Sequence, residues 1–432
     1  MAPRGNAGGR AGAPSECRDA PSDDELAFFA NGDEPAHWIV HLLCTLLKCL
    51  SAPLRWLACA SAALAACCAR PPPHSLWAAL LVLLRVVCYS AAVSNLPDHA
   101  LQAAVDLIFA VQELLGVWLG KGVSRCACSA AVQKRDALDG RGEWLWPKGA
   151  GRYSDSAPPL PGGKVIFFVH GGAFVLCNAV THRLLTYDLV RRTGCTVVVP
   201  AYSRPPKAQY PIALDEVAAL YARLCSYYGA QNVIIAGDSA GANLAMSTAL
   251  RNVADHGAAP PAGAVLISPW CDLSEASLAA ESMRANASTD FLPYTLIARF
   301  MRDYGVGASV KGDEPLVSAV YADPVALGRA LPNVFHCYGT GEELLDQNRA
   351  LRSRFEAGGA AYEAYELPGE FHVAPLFASV VYGPSPPPPA AATADKDPEA
   401  AESPPPVVAL EKMAAFINAI TAVPRPPRTS LL

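Results

Sequence analysis

Charge is scarce in this chain, and what there is leans acidic. Only 17% of its 432 residues are Asp, Glu, Lys or Arg, against roughly 25% in an average soluble domain. The 34 basic and 39 acidic side chains leave a net charge of −5. That balance offers no basic surface able to follow a phosphate backbone and argues against nucleic acid as a partner. Cysteine is not organised: 14 are spread over the chain, too sparse for a disulfide scaffold. Cys126-Ala-Cys128 lacks the second pair or the histidines that a zinc site needs. No dinucleotide fingerprint and no metal-ligating constellation occurs, so neither a cofactor nor a metal is expected.

Apolar residues and proline are abundant instead, at 52% and 38 residues. At roughly 150 residues per domain the length allows two or three units. Residues 1–36 are rich in Gly, Ala, Pro and acids without any period and read as a disordered leader. Glu16, Asp19, Asp23, Asp24 and Glu25 distinguish that leader from an ordinary cleavable signal peptide. Residues 37–93 form an apolar helical region, split by Arg70-Pro71-Pro72-Pro73 into pieces of about 38–69 and 75–93. In 76–93, five Leu and four Val contribute about −4 kcal/mol to membrane insertion, and Arg85 opposes them by about +3. Membrane association follows as an expectation, as a hairpin, a single anchor or a helical lid. Cys67 and Cys68 would suit acylation.

Residues 94–150 read as an amphipathic cap helix and a linker. Leu101, Val105, Ile108, Val111, Leu115 and Trp118 recur at helical spacing there. From 151 to 432 the pattern alternates between short β-branched runs and helical stretches. The runs are Lys164–Val169, Thr196–Tyr202, Asn232–Ala236, Ala264–Ser268, Asn333–Tyr338 and Tyr362–Leu367, with helices such as Ile212–Tyr228 and Ala240–Asp255 between them. Such alternation builds an α/β fold with a mostly parallel sheet and active-site residues at the carboxyl ends of its strands. Residues 384–406, which include two proline runs, read as a low-complexity insert. Helical spacing resumes at Val407–Thr421.

The chemistry-bearing residues lie at those strand ends. Gly237-Asp238-Ser239-Ala240-Gly241 follows one strand and opens a helix, the setting in which G-x-S-x-G presents a nucleophilic serine on a tight turn. His170-Gly171-Gly172-Ala173-Phe174 follows another strand. Its small residues let backbone N–H groups approach an oxyanion, with the N–H of Ala240 as a further donor. His170 itself reads as an organiser of that loop. A serine nucleophile needs a base, and the base needs a carboxylate. Three histidines follow Ser239. His256 sits after a helix, His336 lies inside a strand, and His372 follows the last strand and precedes a helix. His372 is therefore the expected base. Glu342 is the first carboxylate after the strand Asn333–Tyr338 and the expected acid, with Asp346 as the alternative and Glu343 read as solvated.

These residues resemble the hormone-sensitive-lipase-like family of α/β-hydrolases, which includes arylacetamide deacetylases, neutral cholesteryl ester hydrolases and fungal steryl acetyl hydrolases. The likeness extends to Tyr210–Asp215, Ser268-Pro269-Trp270-Cys271-Asp272-Leu273-Ser274 and Ser318–Asp323, covering about 160–382 and the last helix. It implies an α/β-hydrolase fold with Ser239 as nucleophile, His372 as base, and Gly171, Gly172, Ala173 and Ala240 as oxyanion donors. It also implies a cap built from N-terminal helices and an insert at about 275–312. Two positions depart from the family pattern: Ala173 replaces the third glycine of H-G-G-G, and Glu342-Glu343-Leu344 replaces Asp-Pro-Leu. The activity implied is hydrolysis or deacetylation of lipophilic esters, sterol or other lipid acetates among them, at the endoplasmic reticulum membrane. A plant hormone receptor of the same family, which lacks the base, supplies the competing reading of a small-molecule receptor. Asn286-Ala287-Ser288 is a glycosylation sequon inside the cap insert.

Overall fold

The computed structural model describes residues 132–136, 142–150, 163–382 and 403–420, together with Leu84, Cys88, Pro97, Ala100, Gln102 and Ala103. All fall within the compact unit Ala60–Leu432. Eight strands form one sheet: β1 (Val132–Asp136), β2 (Gly142–Pro147), β3 (Val165–Val169), β4 (Thr196–Pro200), β5 (Val233–Asp238), β6 (Gly263–Ile267), β7 (Asn333–Gly339) and β8 (Ala361–Leu367). Their spatial order is β1-β2-β4-β3-β5-β6-β7-β8. The β1/β2 and β2/β4 pairs are antiparallel, and every other pair is parallel.

The central strands Val165-Ile-Phe-Phe-Val169 and Val233-Ile-Ile-Ala236 are buried at every position. Continuous apolar runs of this kind mark strands covered on both faces. The helices are α1 (Arg183–Thr193), α2 (Ile212–Tyr228), α3 (Ser239–His256), α4 (Glu281–Ala285), α5 (Tyr294–Tyr304), α6 (Pro324–Ala330), α7 (Leu345–Ala357), α8 (Ala374–Val381) and α9 (Pro405–Ala419). From β3 the chain steps outward to β4, and β5 then returns to the other side of β3. With right-handed crossovers, that reversal sends successive helices to opposite faces. Accordingly α1, α8 and α9 pack on one another, and α2 and α6 pack on α3. The reversal also opens a crevice at the carboxyl ends of β3 and β5.

The strand and helix expectations for 163–382 hold to within a residue or two at their ends, and short cap helices occupy 275–304 as expected. One boundary is corrected. The stretch 94–150, read as cap helix and linker, contains β1 and β2, so the sheet begins before residue 151. Val132-Gln-Lys-Arg-Asp136 and Gly142-Glu-Trp-Leu-Trp-Pro147 lack the β-branched apolar run of a doubly covered strand, as antiparallel strands at a sheet margin commonly do. The leader 1–36, the piece 38–69, nearly all of 75–93 and 101–119, and residues 384–402 of the proline-rich insert lie outside the described residues. Among the described residues, no helix is long and apolar enough to cross a membrane.

Candidate active site

Ser239 stands between the end of β5 and the first turn of α3, with φ at 50°. Left-handed backbone is costly for a side chain with a Cβ, and the neighbouring glycines make the turn possible. A Cβ on Gly241 would lie 2.1 Å from the Val169 carbonyl oxygen, and one on Gly237 would lie 2.6 Å from the Gly241 carbonyl carbon. All six described non-glycine residues in this conformation (Ala173, Phe174, Cys177, Ser239, Ser268 and Val373) lie on segments that follow a strand. Strain of this kind, about 1–3 kcal/mol per residue, concentrates at functional sites.

Three expected residues meet there. His372 Nε2 lies 2.9 Å from Ser239 Oγ, and His372 Nδ1 lies 3.2 Å from Glu342 Oε2. Ser239, His372 and Glu342 are 7%, 3% and 0% exposed, so this chain of contacts is shielded from bulk water. Burial opposes a charge on His372. The hydrogen bond and charge of Glu342, with Asp290 and Asp238 behind, outweigh burial and raise the imidazole above its ordinary range. Glu342 Oε1 accepts from the Ser268 hydroxyl and, at 2.5 Å, from the Gly339 N–H. Asp346 is placed elsewhere: its carboxylate accepts from the Ser282 N–H at 2.9 Å. Of the two carboxylates left open as the acid, Glu342 is the one that contacts His372. Glu343, expected to be solvated, is instead 1% exposed, and its backbone N–H donates to Asp290 Oδ2 at 2.8 Å.

The oxyanion loop needs one correction. Gly171 does not offer its N–H to the crevice, since that group donates to Asp238 Oδ1 at 2.9 Å. A Cβ on Gly171 would meet Asp238 Oδ2 at 2.2 Å, so glycine is required there to seat the loop. The N–H groups of Gly172, Ala173 and Ala240 have no acceptor among the described residues. Asp238 is buried, which by itself raises its pKa, but His182, the Gly171 N–H and His170 together hold it below the usual carboxylate range. His182 Nε2 lies 3.0 Å from Asp238 Oδ1. His170 organises the loop as expected: Nδ1 donates to the Gly171 oxygen at 2.8 Å, and the ring stacks on Tyr202 at 4.3 Å. Burial, with His182 adding, pushes its pKa down to about 3. His336 points into the fold, its ring nitrogens 2.7 Å from the Tyr362 hydroxyl and 2.9 Å from Asn348 Oδ1.

Aromatic side chains line the neighbourhood. Phe174 stacks on Tyr304 of α5 at 3.8 Å and lies 5.6 Å from Trp270, whose backbone N–H donates to the Ser239 carbonyl at 3.1 Å. Phe291 lies 6.0 Å from the His372 ring. Sequence reasoning missed Ser268, Asp238 and Asp290 as parts of the site. Ser268 sits inside the Ser-Pro-Trp stretch already singled out, whereas no local signal points to Asp290.

Residues 166–376 match the alpha/beta hydrolase fold family. The chain is 34% identical over 218 residues to an acetyl-hydrolase of Streptomyces hygroscopicus, spanning 50% of this chain and 70% of that protein. It is 35% identical over 195 residues to an esterase of Acinetobacter venetianus, spanning 45% of this chain and 61% of that protein. Among solved structures, a hormone-sensitive lipase from a metagenome library superposes with a TM-score of 0.58 at 25% identity, covering 79% of this chain and 97% of that one.

Proposed function

From a chain that belongs to the hormone-sensitive-lipase-like family of α/β-hydrolases and is, like its named relatives, a carboxylic-ester hydrolase, we propose a serine esterase in which Ser239, His372 and Glu342 form the catalytic set. The observation that carries this reading is the continuous path from Ser239 Oγ through both ring nitrogens of His372 to Glu342. Ser239 attacks the ester carbonyl as His372 Nε2 takes its proton. Glu342 holds the Nδ1 proton and stabilises the imidazolium. The N–H groups of Gly172, Ala173 and Ala240 receive the oxyanion of the tetrahedral intermediate, where one such donor typically contributes ~10²–10³ in rate. His372 then protonates the departing alcohol, and water, activated by the same imidazole, releases the acid from the acyl-enzyme.

The proposed substrates are lipophilic esters with a short acyl group, lipid acetates in particular. The aromatic group of Phe174, Trp270 and Tyr304 beside the nucleophile supports an apolar ester. The relatives' own names, acetyl-hydrolase and acetyl esterase, support a small acyl group. Association with a membrane, proposed to be that of the endoplasmic reticulum, rests on the apolar sequence at 37–93 and on where such substrates dissolve. The receptor reading finds no support in the site, because nucleophile and base are both present and in contact.

The test is turnover of acetyl, butyryl and long-chain p-nitrophenyl esters by purified protein with detergent micelles, for wild type and Ser239→Ala. Loss of turnover and of fluorophosphonate labelling in the variant is expected. Undiminished turnover would falsify the assignment, and a long-chain optimum would overturn the short-acyl proposal.

A further inference from the structure

Two loops deliver the acid and the base, residues 340–346 after β7 and 368–373 after β8, and one cap segment grips both. The Ser282 N–H donates to Asp346 Oδ2 at 2.9 Å, and its hydroxyl donates to the Glu343 oxygen at 2.7 Å. Asn286 Nδ2 donates to the oxygens of Thr340 and Glu342 at 3.1 and 2.7 Å. The Thr289 hydroxyl donates to the Gly341 oxygen at 2.7 Å. Asp290 completes the clasp. Its Oδ2 accepts from the Glu343 N–H at 2.8 Å, and its Oδ1 accepts from the His372 N–H at 3.1 Å and from the Phe291 N–H at 2.8 Å. A single buried carboxylate thereby joins the backbone of the base to the backbone of the residue that follows the acid.

We propose that Asp290 is a positioning residue for the ester hydrolysis, fixing the spacing of His372 and Glu342 through their backbones and adding a second negative charge behind the imidazole. This inference rests on the assignment of Ser239, His372 and Glu342 as the catalytic set. An anchoring role alone would be met by acceptors within one loop. Asp290 instead spans the two loops whose separation decides whether Nδ1 and Oε2 stay in contact. The charged and titratable groups around it are His372, Glu342 and the Cys88 thiol, and those around His372 are Glu342, Asp290 and Asp238. Burial, with the Glu342 charge adding and His372 opposing, lifts Asp290 to about 6. It is therefore ionised when the enzyme works near neutral pH, and it favours the imidazolium that forms as Ser239 is deprotonated.

The sign of the pH effect follows. A negative charge near His372 raises its pKa, so removing that charge lowers it and moves the acid limb of kcat/KM to lower pH. The experiment compares full-chain wild type, Asp290→Asn and Ser239→Ala on p-nitrophenyl acetate from pH 5 to 9, with thermal unfolding as the check on folding. For Asp290→Asn, kcat at pH 8 is expected to fall by ~10–100-fold, the scale of a misplaced catalytic group. KM should change little, and the ratio of wild type to variant should narrow as pH falls. Where Asp290→Asn is recovered unfolded, Asp290→Glu carries the test: the charge is retained, so the limb should stay in place while kcat drops. An unchanged kcat and limb in a folded Asp290→Asn, or an unchanged kcat in Asp290→Glu, overturns the positioning role. Wild-type turnover in Ser239→Ala would instead overturn the esterase reading beneath it.

Discussion

Replacing Glu342 by Gln keeps the size of the side chain and isolates one charge and the direction of one hydrogen bond. Glu342 Oε1 sits between two donors, the Ser268 hydroxyl and the Gly339 N–H at 2.5 Å. A glutamine must leave its carbonyl oxygen in that place, because its NH₂ would face two donors. The amide nitrogen then occupies the Oε2 position, 3.2 Å from His372 Nδ1, and donates to it. A ring that accepts at Nδ1 carries its proton on Nε2, the atom 2.9 Å from Ser239 Oγ, and can no longer take the serine proton. Holding a catalytic imidazole in the wrong tautomer lowers kcat ~10⁴-fold in a serine protease triad, which at about 1.4 kcal/mol per tenfold is a barrier increase of about 5 kcal/mol. The expected result for Glu342→Gln is a ~10³–10⁴-fold fall in kcat for p-nitrophenyl acetate, with KM little changed and fluorophosphonate labelling slowed in parallel. A folded variant that keeps kcat within about tenfold of wild type refutes the tautomer reasoning and, with it, Glu342 as the acid.

Four further outcomes follow from the same geometry. Gly171→Ala drives a Cβ to 2.2 Å from Asp238 Oδ2 and should cost ~10²–10³ in kcat by displacing the oxyanion loop. Ala173→Gly keeps the N–H and relieves a φ of 54°, so steady-state assays should find its turnover within about threefold of wild type. At the sequon, the Asn286 amide is committed to two carbonyls. The active protein should therefore show no endoglycosidase shift. Ser288→Ala should be neutral, and Asn286→Asp should lower kcat about tenfold through loss of two half-buried hydrogen bonds. A glycan on fully active protein would contradict this. Burial and the Glu342 charge lift Asp290 from the ordinary aspartate value of 3.8 to about 6 in the folded protein. Its contribution to stability is complete below the lower value and lost as pH rises through the higher one. The difference in Tm between Asp290→Asn and wild type should thus move in favour of the variant from pH 4 to 7, and a flat difference would count against a raised carboxylate.

Much of this was legible in the amino-acid order because it was encoded locally. Val165–Val169 and Val233–Ala236 read as strands from composition alone, and Gly237–Gly241 placed a serine on a turn that only small neighbours permit. Ser239 and His372 were legible from motif and chain order, and Glu342 from its place after β7. What escaped acts at long range or through backbone atoms. Asp238 captures the Gly171 N–H from 67 residues away, so the loop sequence alone could not show that this donor was spent. Asp290 touches the site only through the N–H groups of residues 343 and 372, which leaves no pattern in its own neighbourhood. Glu343 reads as solvated because carboxylates usually are, whereas the fold buries it. Strands β1 and β2 escaped because polar or interrupted strands at a sheet margin carry little of the signal that identifies covered ones.

The last helix has an anchorage of its own. Lys164, 6% exposed and one residue ahead of β3, sends Nζ to the carbonyl oxygens of Ile417 and Ile420 at 2.7 and 2.8 Å, where α9 ends. An ammonium group at a helix carboxyl terminus meets both its unpaired oxygens and its partial negative charge. Together with its packing against α1 and α8, this mooring means that α9 does not depend on the covalent thread leading into it. A protease nick between 383 and 402 should leave two polypeptides that stay together, and a peptide covering 403–420 is the natural fragment with which to rebuild an enzyme truncated after residue 382.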